Sequence, residues 1–389
     1  MRTILRGPGP CQPDALWLSP PPSIIFTGWC GGIESHAKRA PGGEAPRARA
    51  RSAAVGRRAC GRGTMPAPVV AALVILTAVP SCFAAEPLVP RVQAVPLPGE
   101  VTSFRLDDRE LVALHHDPRA MRPFWYPLRS SHEPSLTRMG HPHDPVGHSH
   151  HTSAWISHNA VDGIDFWGDR AKRQGRIVTV EIPRDAHVDG ADAASLRVVN
   201  HWLDAADGTI VAIERRRTEV RPIAGPGDWL LVVDLEFTPP PGRSLTFGAT
   251  GFGPIGVRMA RSIGVHDGGG RILNSAGERN EQEVFRRPAA WCDYAGRITN
   301  DADGFGGIAI FNHPGNPRHP TAFHVRDDGW MGCCLSLDDP VTVADGDTLR
   351  LRYALWVHDG IPDAAAVERR WDIFAALPPP EPAPASKSP

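Results

Sequence analysis

The 389-residue chain is short of several features that usually announce a function. Tyrosine occurs three times, and only three of the seven cysteines (Cys292, Cys333 and Cys334) lie beyond residue 85. An odd number with no CxxC spacing excludes a zinc knuckle and a disulfide framework. Buried free thiols are the simpler reading; a single bridge from Cys292 to Cys333 or Cys334 is the alternative in an exported protein. No stretch from residue 86 onward approaches the ~18 apolar residues of a membrane-spanning helix. HExxH is absent, because His132-Glu-Pro-Ser-Leu136 supplies no second histidine, and no internal repeat is found. Net charge is also nearly missing, at −1. That balance hides an asymmetry. Residues 1–85 carry 10 Lys/Arg against Asp14, Glu34 and Glu44, which leaves 32 basic and 40 acidic side chains from Glu86 onward. An acidic body repels a phosphate backbone, so nucleic acid is not an expected partner.

The leader has its own organisation. Residues 1–64 are rich in Arg, Gly, Pro and Ala without hydrophobic periodicity, and read as a disordered extension or a start placed too early. Residues 65–85 have the shape of a signal peptide: an apolar run Val69–Val79, then Pro80 and small residues ending at Ala84-Ala85. Export to the periplasm or beyond is the expectation. Val79-Pro-Ser-Cys82 is a loose lipobox, which makes acylation of Cys82 a second option, opposed by the proline before Ser81.

Residues 86–377 read as one β domain. Thr348–Val357 alternates so that Leu349, Leu351, Tyr353, Leu355 and Val357 share a face, and Trp229–Phe237 does the same with Leu231, Val233, Leu235 and Phe237. Further strands are expected at Ile177–Ile182, Ser195–Trp202, Thr209–Val220, Ser244–Ala249, Gly307–Phe311 and Thr321–Val325, divided by Gly, Pro and Asp-Gly turns. One helix is expected, Asp363–Leu377, with Val367, Trp371 and Phe374 on one stripe, Asp363 as its cap and Pro378-Pro-Pro380 as its stop. Many short strands and one late helix predict a mainly β protein, a large antiparallel sandwich with a C-terminal helix. The tail 378–389 is proline-rich and expected to be disordered.

Histidine carries the chemical signal. Sixteen of the 17 lie in the body, nine of them between His115 and His158. In an extended segment His148 and His150 project to one side, where they could share a divalent ion, while His151 points away. Imidazole suits Zn, Cu or Fe, so the ligand type alone does not choose the metal. The cupin pattern is weakened, because Ala154 and Trp155 stand where its acidic ligand belongs. Three readings stay open: a metal site, a metal-free binding or acid–base site, and a structural loop. A second cluster holds His313, Arg318, His319 and His324 in a proline-stiffened loop. Two such loops on one β domain are expected to converge on a shared cleft.

His150, His151, His158, His313, His319 and Asp165 are therefore the candidate acid–base residues. Arg258 and Arg318 could hold a carboxylate or a pair of sugar hydroxyls. Trp155, Trp167, Trp291 and Trp330 stand near these loops in sequence, where an indole face suits a sugar ring. Asp162 reads as a turn residue before Gly163, and Asp293 as a further general-base or substrate-binding candidate.

Taken in order, several strings resemble the PmoA-like family of exported bacterial proteins. They are His148-Ser-His-His-Thr-Ser-Ala-Trp-Ile-Ser-His158, Val161–Trp167, Trp291–Gly296, and Gly307-Ile-Ala-Ile-Phe-Asn-His-Pro-Gly-Asn-Pro-Arg-His-Pro320. The resemblance covers about residues 90–377. It implies a sandwich of the galactose-mutarotase-like kind, and functional positions at His150, His151, His158, His313, His319 and His324, with Arg318 between. Gly147-His-Ser-His-His151 departs from the family's Asp-His-Pro-His-His run. Three functions follow. The first is an exported enzyme that binds and processes a small or oligomeric carbohydrate as lyase, epimerase or hydrolase. The second is a non-catalytic sugar-binding module. The third, implied by the family's label of methane oxygenase, is an oxygenase with a metal held by His148, His150 and His151.

Overall fold

The computed structural model describes residues 89–140 and 148–380. The expectations for the extension, the signal peptide, Cys82 and the end of the tail (381–389) lie outside these residues. The described residues all fall in one compact unit, Ser81–Pro389; the other unit, Met1–Pro80, is outside them.

The protein is mainly β, with two large sheets whose strands all pair antiparallel. The first runs in the order Val92–Leu97, Val101–Leu106, Arg109–His115, Phe124–Leu128, Ala154–Ile156, Pro254–Arg258, Trp330–Cys334, Thr321–Arg326 and Arg287–Ala289. The second runs Arg271–Asn274, Trp291–Arg297, Phe305–Asn312, Leu349–Asp359, Asp228–Thr238, Ile210–Gly225, Ala194–Asp204 and Gly175–Glu181. Both sheets contribute to one buried cluster between them, which includes Phe104, Trp125 and Ile255 from the first and Leu231, Tyr294 and Leu355 from the second. This is the packing of a sandwich.

The two alternating segments are neighbours, with Leu231 opposite Leu355 and Val233 opposite Tyr353. Their other faces are buried too. Leu230, Val232, Ala354 and Trp356 belong to a second cluster with Val367 and Phe374 of the helix Ala364–Ala375, which covers the outer face of the second sheet. Asp363 caps that helix by accepting from Ala366 N (2.7 Å). Two short helical turns, Val265–Gly268 and Asn280–Val284, were not expected. Cys292, Cys333 and Cys334 are free and buried, so no bridge joins them. Among the described residues no helix is long and apolar enough to cross a membrane.

Candidate functional site

The outer face of the first sheet carries a single cross-strand row. His115 is opposite Phe124, Phe124 opposite Trp155, Trp155 opposite Gly256, Gly256 opposite Gly332, and Gly332 opposite His324. The two glycines leave a flat stretch of backbone, and the indoles lie on it. A Cβ on Gly256 would sit 2.3 Å from Trp330 Cη2 and 2.9 Å from Trp167 Cη2; one on Gly332 would sit 2.8 Å from Trp330 Cζ2. Trp155, Trp167 and Trp330 thereby form an aromatic cluster of their own, apart from the core, with Phe124 against it. Gly256→Ala is expected to lower stability by about 1–3 kcal/mol through overpacking. A urea midpoint unchanged from wild type would count against this close fit.

The histidine loop lies on that cluster. Its backbone is a turn and not an extended segment, because His151 N donates to His148 O (3.1 Å). The expectation that His151 points away is therefore corrected. Ring centroids are 4.9 Å apart for His148 and His151, 4.5 Å for His150 and His151, and 6.1 Å for His148 and His150. The His151 ring stacks on Trp330 (5.3 Å, 24°) and leans on Trp155 (5.5 Å). Burial, followed by the neighbouring His150 and Arg258, pushes the His151 imidazole far below its ordinary pKa. Burial and then Arg122 bring His150 down to about 4. Both rings are neutral at pH 7. The three rings meet, yet no group of His, Cys, Asp or Glu among the described residues is arranged to hold a metal ion. The triad does not have the ligand geometry expected of it.

Two residues that the sequence left unmarked complete the site. Asp169 Oδ1 lies 3.7 Å from His150 Nδ1, and its other oxygen accepts a short hydrogen bond from Ser149 Oγ. Arg122 is 2% exposed and donates to His150 O (2.9 Å), Phe166 O (2.6 Å) and Trp167 O (2.8 Å), with its guanidinium 5.6 Å from the Trp155 ring centre. It ties the histidine turn to the Asp165–Asp169 loop. Burial brings its pKa down to about 10, so it stays charged at pH 7. Asp165 holds that same loop by accepting from Trp167 N (2.7 Å) and Gly168 N (2.9 Å). This is a positioning task in place of the acid–base role expected of it. Asp162 is a turn residue as expected, with φ 48° and its Oδ1 accepting from Thr246 N.

Arg258, almost fully buried beside the row, forks onto Asp328 through bonds of 2.9 and 3.0 Å. His324 ends the row, with its Nδ1 donating to Gly251 O (3.2 Å) and its ring beside Phe252.

The remaining candidates lie elsewhere. His158 is fully buried; its Nδ1 accepts from Ala160 N (3.1 Å), so its Nε2–H is the donor to Ser336 Oγ (2.9 Å), which in turn donates to Gly248 O (2.8 Å). With both nitrogens used and its pKa lowered to about 3 by burial, it is a structural histidine. His313 and His319 do not reach the histidine turn. They pack on Phe374 and Trp371 of the C-terminal helix, and that helix covers the second sheet. Arg318 binds the carbonyls of Asp339 and Pro340. The expected convergence of the two loops therefore does not hold, and only His324 of the second cluster joins the row. Asp293 is also misplaced by the sequence reading: on the second sheet, its carboxylate is held by His358 Nε2 (2.9 Å) and Arg271 (2.8 Å). Trp291 packs under the C-terminal helix.

Two cavities, of about 350 and 530 Å³, open at the end of the second sheet around Asp228, Trp356 and Asp359 and around His132, Phe305 and Asp359. Their carboxylates already serve the fold. Asp228 accepts from Trp356 Nε1 and Arg370, and Asp359 from Ser131 N.

The fold and the site define a β-sandwich with a histidine–tryptophan site on the outside of one sheet. Residues 101–372 match the model of a family of unknown function, DUF6807, and the chain belongs to that family. A search of curated proteins finds no match to it.

Proposed function

We propose that this is an exported protein that binds and processes a carbohydrate at the outer face of the first sheet. The observation that carries the reading is the meeting of His150, His151 and Asp169 on the Trp155–Trp330 cluster. Neutral imidazoles can accept or donate a hydrogen bond to a hydroxyl, and the indoles, buried at 0–4% exposure, form the platform beneath them. In this reading His150 is the acid–base residue, with Asp169 beside it to stabilise the imidazolium when it takes a proton. Arg258 with Asp328, and His324 at the far end of the row, orient the ring. Arg122 and Asp165 position the loops. The likeness of the histidine strings to PmoA-like exported proteins belongs to this proposal, as does the galactose-mutarotase-like form of the sandwich; going from fold to activity is analogy.

His150→Ala is expected to lower turnover of a sugar substrate by about 10²–10⁴-fold while leaving binding measurable. Product formation from an oligosaccharide panel is the readout. Binding without product, unaltered by His150→Ala, would replace the enzyme with a sugar-binding module. Since His150 titrates near 4, base activity is expected to hold from pH 7 down to about pH 5 and to fall below it.

A further inference from the structure

The aromatic cluster of the site has one neighbour in solvent. Trp155, Trp167 and Trp330 are 0–4% exposed, so they present no face to a ligand. Phe252 is 36% exposed, the only aromatic among the exposed large hydrophobic side chains of the described residues. Its ring meets Trp167 at 5.7 Å and His324 at 4.8 Å. Both neighbours are tilted, by 50° and 57°, so neither lies flat over the phenyl ring. Phe252 thus carries the buried cluster out to the surface, beside the loop that holds Trp167 and Asp169.

A single exposed apolar side chain needs no explanation by itself. What sets this one apart is its backbone. Phe252 N donates to Thr250 Oγ1 (3.1 Å), Asn159 N to Phe252 O (3.3 Å) and Leu335 N to Gly253 O (3.0 Å). His324 Nδ1 (3.2 Å) and Cys334 Sγ (3.3 Å) both donate to Gly251 O. Gly253 has φ 129°, and a Cβ there would sit 2.5 Å from Ser157 O. The loop is therefore tied from several strands, and it holds an apolar ring in water. An aromatic face fixed in advance loses little freedom when something stacks on it.

The polar group beside it selects the ligand. Burial lowers the pKa of His324, so its ring is neutral at pH 7. With Nδ1–H spent on Gly251 O, its Nε2 is an acceptor that has no hydrogen-bond partner among the described residues. A pyranose matches this pair: one face of C–H groups for the phenyl ring, and a rim hydroxyl that donates to Nε2. A carboxylate or phosphate at that rim would bring a lone pair to a lone pair. Trp167 stands between Phe252 and the Trp155–Trp330 pair beneath the histidines, at 5.1 and 5.2 Å from those two indoles. A ring stacked on Phe252 is thus a different sugar unit from the one at His150.

We infer that Phe252 and His324 form a subsite for a neutral sugar unit, stacked on the phenyl ring next to the unit that His150 and Asp169 act on. The inference rests on the carbohydrate reading and narrows its ligand to an oligosaccharide.

The test is calorimetric titration of the full chain with neutral oligosaccharides, the cello-, xylo-, manno- and galacto-tetraoses. Phe252→Leu keeps an apolar side chain and removes the aromatic face; it is expected to weaken binding about tenfold. Phe252→Trp is expected to retain the affinity, and its added emission, taken against wild type, is expected to shift when the oligosaccharide binds. That readout remains should Phe252→Leu not fold. Affinity unchanged in Phe252→Leu, or emission of Phe252→Trp that the bound oligosaccharide does not move, overturns the subsite and leaves the carbohydrate reading standing. Binding of no sugar at all overturns both.

Discussion

Between pH 7 and pH 4 the protein is expected to lose about 6 kcal/mol of stability through two histidines alone. His158 titrates near 3 and His150 near 4 in the fold, against 6.5 when exposed. The unfolded chain therefore binds more protons than the folded one below pH 6.5. Their contribution is complete above that pH and is lost as the pH falls towards the folded values. Each tenfold difference in proton affinity is worth about 1.4 kcal/mol, which makes about 3 kcal/mol for each residue by pH 4. His151 is shifted in the same direction. Such a loss is comparable to the whole stability of a domain, ~5–15 kcal/mol. Urea midpoints at pH 7.5, 5.5 and 4.5 give the measurement, and midpoints that do not move with pH would refute this account of the buried imidazoles.

Arg122→Met is expected to be the most damaging single change at the site, costing about 3–5 kcal/mol. The carbonyls of His150 and Trp167 would be left buried without a donor, at about 1–3 kcal/mol each, while Phe166 O keeps Ser157 Oγ (2.6 Å). Arg122→Lys is expected to rescue little, because one ammonium cannot reproduce the planar fork that spans two loops. Sugar binding should disappear in the same variant, since Asp169 and the histidine turn would no longer be held together. A thermal midpoint within about 2 °C of wild type would show that the carbonyls have found other donors.

The sequence was most legible where a strand buries its two faces unequally or a helix carries caps. Thr348–Val357 and Trp229–Phe237 showed their inner faces through alternation, and Asp363 marked the helix start. Pro254–Arg258, Trp291–Arg297 and Trp330–Cys334 gave no such signal, because they are buried on both faces nearly throughout. Much of the first sheet was therefore missed, and with it the row that underlies the site. The histidine count drew the eye to residues 148–151 but could not show that His148–His151 is a turn. Nor could it show that the loop after Asn312 packs on the C-terminal helix. Arg122 and Asp169 act through partners many residues away, at positions where nothing in the local pattern distinguishes them from surface charges.

The aromatic cluster beneath the histidines has a consequence for light as well as for binding. The ring centres of Trp155, Trp167 and Trp330 are 5.1–5.5 Å apart. At that spacing excitation energy passes readily from one indole to the next. The His151 imidazole lies flat against one end of it, and an imidazolium quenches indole emission far more than the neutral ring does. The packing that excludes water from this face thus makes it an optical gauge of its own proton and of whatever rests upon it.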